Sequence, residues 1–259
     1  MTDRLKDKRI MINIPQQITL GWRARIGLLY PETGLLDEEY WGFAPHGVAV
    51  FISRTLVRAK ASVEVLTDMA NSPEVERIAQ GFSRIEVDAV AYACTAAGFI
   101  RGDGMDEELN HRLAAGAVAP ATCTITASVR AMRELGLKKI SVATPYLGPI
   151  DQKLREFLEK SGFEIVAQQG LGLHGKDISM VPLSQIYQMA KEVDKPESDG
   201  VYIACTGFRS LEIIETLEAD LGKPVVSANQ ATMWDALRLA GVHLKKPGLG
   251  RLYNLDAVQ

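Results

Sequence analysis

Two cysteines stand in matching contexts. Cys94 closes the run Val87-Asp88-Ala89-Val90-Ala91-Tyr92-Ala93-Cys94 and is followed by Thr95-Ala96-Ala97-Gly98-Phe99. Cys205 closes Ser198-Asp199-Gly200-Val201-Tyr202-Ile203-Ala204-Cys205 and is followed by Thr206-Gly207-Phe208. A thiol has an ordinary pKa of about 8.5, which falls at a helix N-terminus, and it then serves as both nucleophile and proton carrier near neutrality. The small residues after each cysteine let free backbone N–H groups approach a carboxylate. Two such half-sites face to face would hold a small carboxylic acid between two sulfurs. Free cysteine also packs as a small apolar side chain, and Cys123, whose context is not repeated, is read that way. Cys94 and Cys205 are read as functional, because packing rarely needs cysteine at two matching positions.

The elements that must position these residues repeat as well. Each cysteine ends a short apolar run of the kind that forms a buried strand, with a helix-compatible segment after it. Arg25-Ile26-Gly27-Leu28-Leu29-Tyr30-Pro31 resembles Lys139-Ile140-Ser141-Val142-Ala143-Thr144-Pro145 at nearly the same offset as the cysteine runs, which points to two halves related by a pseudo-twofold axis. Strands are expected at 25–30, 48–54, 139–143, 163–167 and 225–227, besides the two that end in cysteine. Helices are expected at 35–42, 72–84, 105–115, 126–135, 150–161, 184–193, 211–221 and 230–240, the third-last ending before the second cysteine strand. Ser72 reads as an N-cap with Pro73 at the first helical position. Residues 119–123 read as a crossing between the halves, and Asp88 and Asp199 as caps of the turn into each cysteine strand. Strands alternating with helices give parallel βαβ units with ligands at the strands' C-terminal ends. The fold class is therefore α/β, with two pseudo-twofold-related, doubly wound parallel-sheet lobes and the active site in the cleft between them. The first lobe is expected over 21–125 plus 232–259, the second over 126–231, and an N-terminal arm over 1–20.

Composition sets the class. The chain has 259 residues, 47% hydrophobic and 24% charged, enough for two packed lobes, and a formal net charge of −3 with both signs interspersed. That pattern suggests neither a nucleic-acid nor a membrane surface. No run approaches the roughly 18 apolar residues of a membrane span, and the first residues lack a secretory pattern. Three cysteines without paired spacing argue against a disulfide framework and a zinc site, so a cytoplasmic address is expected.

Tyr92-Ala93-Cys94-Thr95 and Ile203-Ala204-Cys205-Thr206 resemble the two half-sites of the aspartate/glutamate racemase superfamily. Ala131-Met132-Arg133-Glu134-Leu135-Gly136 leading into Ser141-Val142-Ala143-Thr144-Pro145-Tyr146, the Ser198-Asp199-Gly200 lead-in, and Pro224-Val225-Val226-Ser227 followed by Trp234-Asp235-Ala236 resemble its maleate cis-trans isomerase and arylmalonate decarboxylase branch. The resemblance covers about residues 22–253. It implies that Cys94 and Cys205 are the catalytic pair; the decarboxylases keep only the second and have glycine at the first. It implies that the Tyr146 hydroxyl, Thr95 and the backbone N–H groups of Ala96 and Thr206 bind a substrate carboxylate, with Gly207 beside them. It also implies a cofactor-independent enzyme with no metal, acting on a small carboxylic acid, in a family that often forms homodimers.

Two positions depart from the family pattern. The maleate isomerases place an asparagine in the first loop, where Pro31-Glu32-Thr33 stands, and an inward-facing Glu32 would repel a dicarboxylate. They bring another from a second-lobe loop, where Leu173-His174-Gly175-Lys176-Asp177 stands; His174 or Lys176 replaces it, or is a solvated loop residue. Amino-acid racemases follow the second Cys-Thr with histidine, where Gly207 stands. The principal expectation is cis–trans isomerisation of maleate by thiolate addition, rotation and elimination. Racemisation by two-thiol proton transfer and arylmalonate-type decarboxylation are the alternatives, and a non-catalytic carboxylate-binding module is a further one. Gly170-Leu171-Gly172-Leu173-His174-Gly175 fits a dinucleotide pattern that is weak in isolation. Arg101-Gly102-Asp103-Gly104 reads as a turn, and His46, His111 and His243 as structural or solvated.

Overall fold

The computed structural model describes residues 19–56, 62–102, 104–243 and 245–255. The expected N-terminal arm over 1–20 thus falls almost wholly outside the described residues, as does Asp103 of the expected turn. Among the described residues eight strands form two four-stranded sheets, and every neighbouring pair is parallel. The first contains β1 (Ala24–Pro31), β2 (Val48–Thr55), β3 (Ala89–Tyr92) and β4 (Ala121–Cys123), in the order β2-β1-β3-β4. The second contains β5 (Lys139–Thr144), β6 (Glu164–Gly170), β7 (Gly200–Ile203) and β8 (Val225–Ser227), in the order β6-β5-β7-β8. The two orders are the same, so the second half rebuilds the first. β3 and β7 are buried at every residue, as parallel strands covered on both faces require.

The helices are α1 (Asp37–Phe43), α2 (Val63–Asn71), α3 (Glu74–Ser83), α4 (Thr95–Phe99), α5 (Met105–Ala117), α6 (Thr124–Glu134), α7 (Gly148–Lys160), α8 (Lys176–Ser179), α9 (Leu183–Val193), α10 (Ile214–Leu221) and α11 (Ala228–Leu239). None of them is long and apolar enough to cross a membrane. α11 opens with a capping box between Ser227 and Gln230. It follows β8 of the second sheet yet packs against β3 and β4 of the first. α6 follows β4, pairs with α11 through Thr124 Oγ1 and Thr232 Oγ1 at 2.9 Å, and reaches the second sheet through Ser128, whose Oγ accepts from the Tyr202 hydroxyl at 3.0 Å. The two halves therefore exchange a helix, and the larger hydrophobic core runs without a break from the first sheet to Val142, Tyr202 and Val226 of the second.

The repeated aspartates have matching structural roles. Asp88 Oδ2 accepts from the Arg25 backbone N–H at 2.7 Å, and Asp199 Oδ2 accepts from those of Lys138 and Lys139 at 2.9 and 2.8 Å. Each ties the lead-in of a cysteine strand to the start of the neighbouring strand. The same N–H groups hold the Asp199 carboxyl below its ordinary range.

Three expectations are corrected. Residues 119–123 do not cross between the halves: Ala121–Cys123 is the edge strand β4, paired with Val90–Tyr92, and α6 makes the crossing. A helix does not follow the second cysteine: 206–213 is a turn segment, in which the Glu39 side chain accepts from the Ser210 and Leu211 N–H groups, and α10 starts at Ile214 rather than 211. Two helices, α2 and α8, were not expected at all.

Candidate active site

β3 and β7 end side by side at a cavity of about 310 Å³ between the sheets. It is lined by Cys94, Thr95 and Ala96 from the first half and by Cys205, Thr206 and Gly207 from the second. Pro31, Thr33, Tyr146 and His174 also line it, so the fold gathers these ten candidate residues at one site. Glu32 is the exception. It is exposed and absent from the lining, while its backbone N–H donates to the Thr55 carbonyl at 2.9 Å. The turn that follows, closed by the Gly34 N–H on the Pro31 carbonyl at 2.8 Å, presents Thr33 and Gly34 to the cavity instead. The expected repulsion of a dicarboxylate by Glu32 is therefore not built into this pocket.

The two cysteines are held differently. Cys94 is in extended conformation and immediately precedes α4, with the Ala97 and Ala96 N–H groups beside its sulfur. Cys205 is left-handed, with φ of 86°, and accepts from the Gly207 N–H at 3.3 Å on Sγ. A neighbourhood of N–H groups was expected to favour thiolates, but burial wins. Desolvation pushes Cys94 up to about 12 against the pull of those N–H groups, with the nearby Cys205 sulfur adding to the rise. Desolvation likewise pushes Cys205 up to about 11 against the Gly207 N–H and the Tyr146 hydroxyl. Both shifts favour the protonated thiol at neutral pH. An acid with a raised pKa keeps its proton to higher pH, so iodoacetamide should alkylate the free enzyme slowly at pH 7.5. The rate should climb about tenfold per pH unit to pH 10. A rate that levels off near pH 8.5 in a stopped-assay mass spectrum would contradict this. Cys123 does not line the cavity; it is buried with Sγ 3.3 Å from Thr126 Oγ1.

The donors around the sulfurs are asymmetric despite the repeat. Thr206 spends its hydroxyl on the Ala93 carbonyl at 3.2 Å and its own carbonyl on the Tyr30 hydroxyl at 2.9 Å. These bonds lace the two halves together just before Cys94 and just after Cys205. Thr95 Oγ1, the counterpart, is buried with no partner at full hydrogen-bond geometry, and its polar neighbour is the Tyr146 hydroxyl, whose burial-driven rise in pKa it opposes. A buried hydroxyl without a partner costs about 1–3 kcal/mol, and here it borders the cavity, where a ligand oxygen would satisfy it. Tyr146 lies close by. Its N–H donates to Thr144 Oγ1 at 3.2 Å and its ring meets Phe99 edge-on, 6.3 Å between centroids. Burial drives the Tyr146 pKa far upward, keeping the hydroxyl a donor.

The segment after β6 closes another wall. The N–H groups of Leu171, Gly172 and Leu173 donate to the carbonyls of Thr144, Tyr146 and Pro145 at 3.1, 3.1 and 2.8 Å. The glycine pattern here thus has its N–H groups committed to the neighbouring loop rather than free to cradle a phosphate. His174 and Lys176 line the cavity, and His174 Nδ1 is buried without a hydrogen-bond partner. Ile178 packs close to Gly207, where a Cβ would come within 2.8 Å of Ile178 Cγ2, so a side chain at that position would have to displace Ile178. His46, His111 and His243 lie outside the cavity; His46 meets the Trp22 ring, with 6.1 Å between centroids.

Glu39 was not singled out in the sequence. It sits on α1 of the first half, 1% exposed, and reaches into the turn that follows Cys205. Its Oε1 accepts from the Ser210 and Leu211 N–H groups at 2.5 and 3.0 Å, and its Oε2 from the Ser210 hydroxyl and the Asn229 amide at 3.0 and 2.7 Å. Burial raises its pKa while these donors oppose the rise. Asn229 Oδ1 in turn accepts from the Tyr40 hydroxyl at 2.9 Å. A glutamate that follows Asp37 and Glu38 in the first turn of a short helix reads as one more acid favoured by the helix dipole and gives no signal of such a role. Only the distant Ser210 explains it.

The family model for arylmalonate decarboxylase matches residues 27–253. The chain is 27% identical over 233 residues to an arylmalonate decarboxylase of Bordetella bronchiseptica, covering 86% of this chain and 97% of the relative. It is 26% identical over 242 residues to a maleate isomerase of Nocardia farcinica, covering 90% and 96%. The crystallised maleate cis-trans isomerase of Nocardia farcinica, as a cysteine-to-serine mutant with a covalently bound succinylcysteine intermediate, matches with a TM-score of 0.83 at 25% identity over 90% of this chain and 99% of that one.

Proposed function

The chain belongs to the arylmalonate decarboxylase family, and from that premise we propose that it is a cofactor-independent, two-cysteine isomerase that converts a maleate-type cis-enedioate to its trans isomer. The observation that carries this reading is the pair of cysteines at one cavity, each at the end of a matching strand. A decarboxylase of the family's one-cysteine kind has no use for the first sulfur. The covalent succinylcysteine held by the Nocardia farcinica enzyme supports the same chemistry. We keep the lobes as 21–125 plus 232–259 and 126–231; the packing of α11 on β3 and β4 supports giving the segment after the second sheet to the first lobe, while the bounds themselves fall within α6 and α11. A cytoplasmic location is supported by Cys94, Cys123 and Cys205 all being free thiols.

The steps follow from the geometry. One substrate carboxylate takes the unpartnered Thr95 hydroxyl, the Tyr146 hydroxyl and backbone N–H groups at Ala96 and Thr206. His174 and Lys176 take the other. Cys94 first gives up its thiol proton to solvent, and the thiolate so formed makes a C–S bond to one vinyl carbon; the π electrons move to the other, which takes the proton of Cys205. The resulting succinyl thioether rotates about its new single bond. Cys205, now thiolate, recovers the proton, the double bond re-forms in the trans geometry, and the C–S bond breaks to return the Cys94 thiolate. No group is consumed. Gathering these reactants at one cavity supplies the proximity that a bimolecular thiol addition lacks in water.

Proton NMR of the reduced protein with maleate in D₂O tests this. The expected result is fumarate with its vinyl hydrogens retained, because the deuteron that Cys205 gives is the one it takes back. Unchanged maleate, together with carbon dioxide released from an arylmalonate, would overturn the isomerase reading in favour of decarboxylation.

A further inference from the structure

We infer that the preferred substrate is a cis-enedioate carrying an apolar substituent on a vinyl carbon, rather than maleate itself. The inference rests on the isomerase reading and adds the identity of the side group. Its basis is the mismatch between the cavity and a bare four-carbon diacid. A cavity of about 150 Å³ lined by aliphatic and aromatic side chains is large enough to hold benzene, and this one measures about 310 Å³. An enedioate therefore leaves room for a further group of roughly ring size.

The chemistry of the walls says what that group is. Leu66 and Met69 from α2, Ile150 from α7, and Leu173 and Ile178 from the segment between β6 and α9 all border the cavity. Leu66, Met69, Ile150 and Ile178 are themselves largely buried, so these faces are held in place rather than splayed into solvent. A carboxylate against such a wall would lose its water and gain no donor, which is costly. The donors available for carboxylates are Thr95 and Tyr146 beside the two sulfurs and His174 and Lys176 from the segment after β6; Thr33, Asp177, Ser179 and Thr206 also border the cavity, but most of the surface it exposes is apolar. That set suits two carboxylates and an apolar third substituent. A bare maleate would leave the aliphatic wall facing water or void, and the binding free energy of that surface would go unused.

The test is a substrate series: maleate and its 2-methyl, 2-ethyl, 2-propyl and 2-phenyl derivatives, followed by the ultraviolet change on isomerisation. The expected result is a kcat/KM that rises about fourfold for each methylene buried, with the phenyl derivative at or near the top. Leu66→Phe, which fills the apolar space, should lower the ratio of the 2-phenyl to the unsubstituted rate at least tenfold. A series in which maleate is best and rates fall with substituent size overturns the inference and leaves the isomerase reading standing. Calorimetric binding of succinate and 2-phenylsuccinate, saturated analogues that cannot react, separates the two failures. At least tenfold tighter binding of the phenyl compound is expected, and equal affinities overturn the inference. Tighter phenyl binding with no enedioate turned over supports the apolar end of the site and removes the isomerase assignment.

Discussion

Cys94→Ala should reduce cis–trans turnover by about 10⁶-fold, the scale seen when a covalent nucleophile is removed. Without its sulfur no C–S bond forms and the double bond never becomes free to rotate. Cys205→Ala should cost less, roughly 10²–10⁴-fold, the range for a general acid–base group. The second sulfur moves a proton that solvent replaces slowly, so the lesion slows the reaction without removing its intermediate. The two variants are therefore distinguishable beyond their rates. Intact-mass measurement of the Cys205→Ser protein soaked with substrate should show a covalent gain of one substrate mass, located on Cys94 by peptide mapping. The Cys94→Ala protein should show none. Full isomerase turnover by Cys94→Ala would end the covalent assignment, whereas equal losses with no adduct in either variant would point to two-thiol proton transfer.

Glu39→Ala should destabilise the fold by about 3 kcal/mol and also lower kcat. The side chain accepts from Ser210 N–H and Oγ–H, Leu211 N–H and the Asn229 amide, all of them buried or nearly so. Each buried donor left without a partner costs about 1–3 kcal/mol, and water entering the vacated space recovers part of that. Glu39→Gln preserves shape but turns an NH₂ group toward either the two backbone donors or the Asn229 amide and the Ser210 hydroxyl, of which the hydroxyl alone can accept from it, so it should fall between the wild type and alanine. Denaturant midpoints with unchanged slopes would read the stability loss. The accompanying fall in kcat is expected because the same bonds hold the turn that aims the Gly207 N–H at the Cys205 sulfur. A Glu39→Ala protein with native midpoint would show that the network is dispensable.

The sequence carried the architecture where periodicity and repetition were strong. The Asp-initiated apolar runs before Cys94 and Cys205 are strands β3 and β7, and the shared offset of Arg25 and Lys139 corresponds to β1 and β5 in identical sheet positions. Short segments were harder to read. β4 is three residues, too few to show alternation, and α2 lies in a stretch whose charged and apolar residues gave no start signal until the Ser62 side chain was seen to accept the Val65 N–H. At the site, residue types adjacent to the cysteines were legible because chemistry restricts them. The direction in which Glu32 points was not, since a single residue in a turn has no pattern to fix its face. The thiol acidities were misjudged for a related reason: N–H neighbours can be read from small residues, but desolvation depends on Leu66, Met69, Ile178 and the rest of the enclosure, which come from distant parts of the chain. Glu39 and Tyr30 were invisible for the same cause, each acting on a residue more than a hundred positions away.

The left-handed backbone at Cys205 has an evolutionary consequence. A cysteine at φ of 86° carries a conformational penalty of about 1–3 kcal/mol that a glycine would escape. Glycine is one nucleotide change from cysteine in the genetic code, so relief is always within reach of a single mutation. Drift would therefore tend to erase this sulfur in any lineage that no longer needed it, whereas Cys94 stands in relaxed extended backbone, so that its replacement by glycine relieves no strain and follows only from loss of its chemistry. The strained residue thus acts as a ratchet on the reaction: the fold itself favours the loss of the proton carrier, and only continued demand for catalysis keeps it in place.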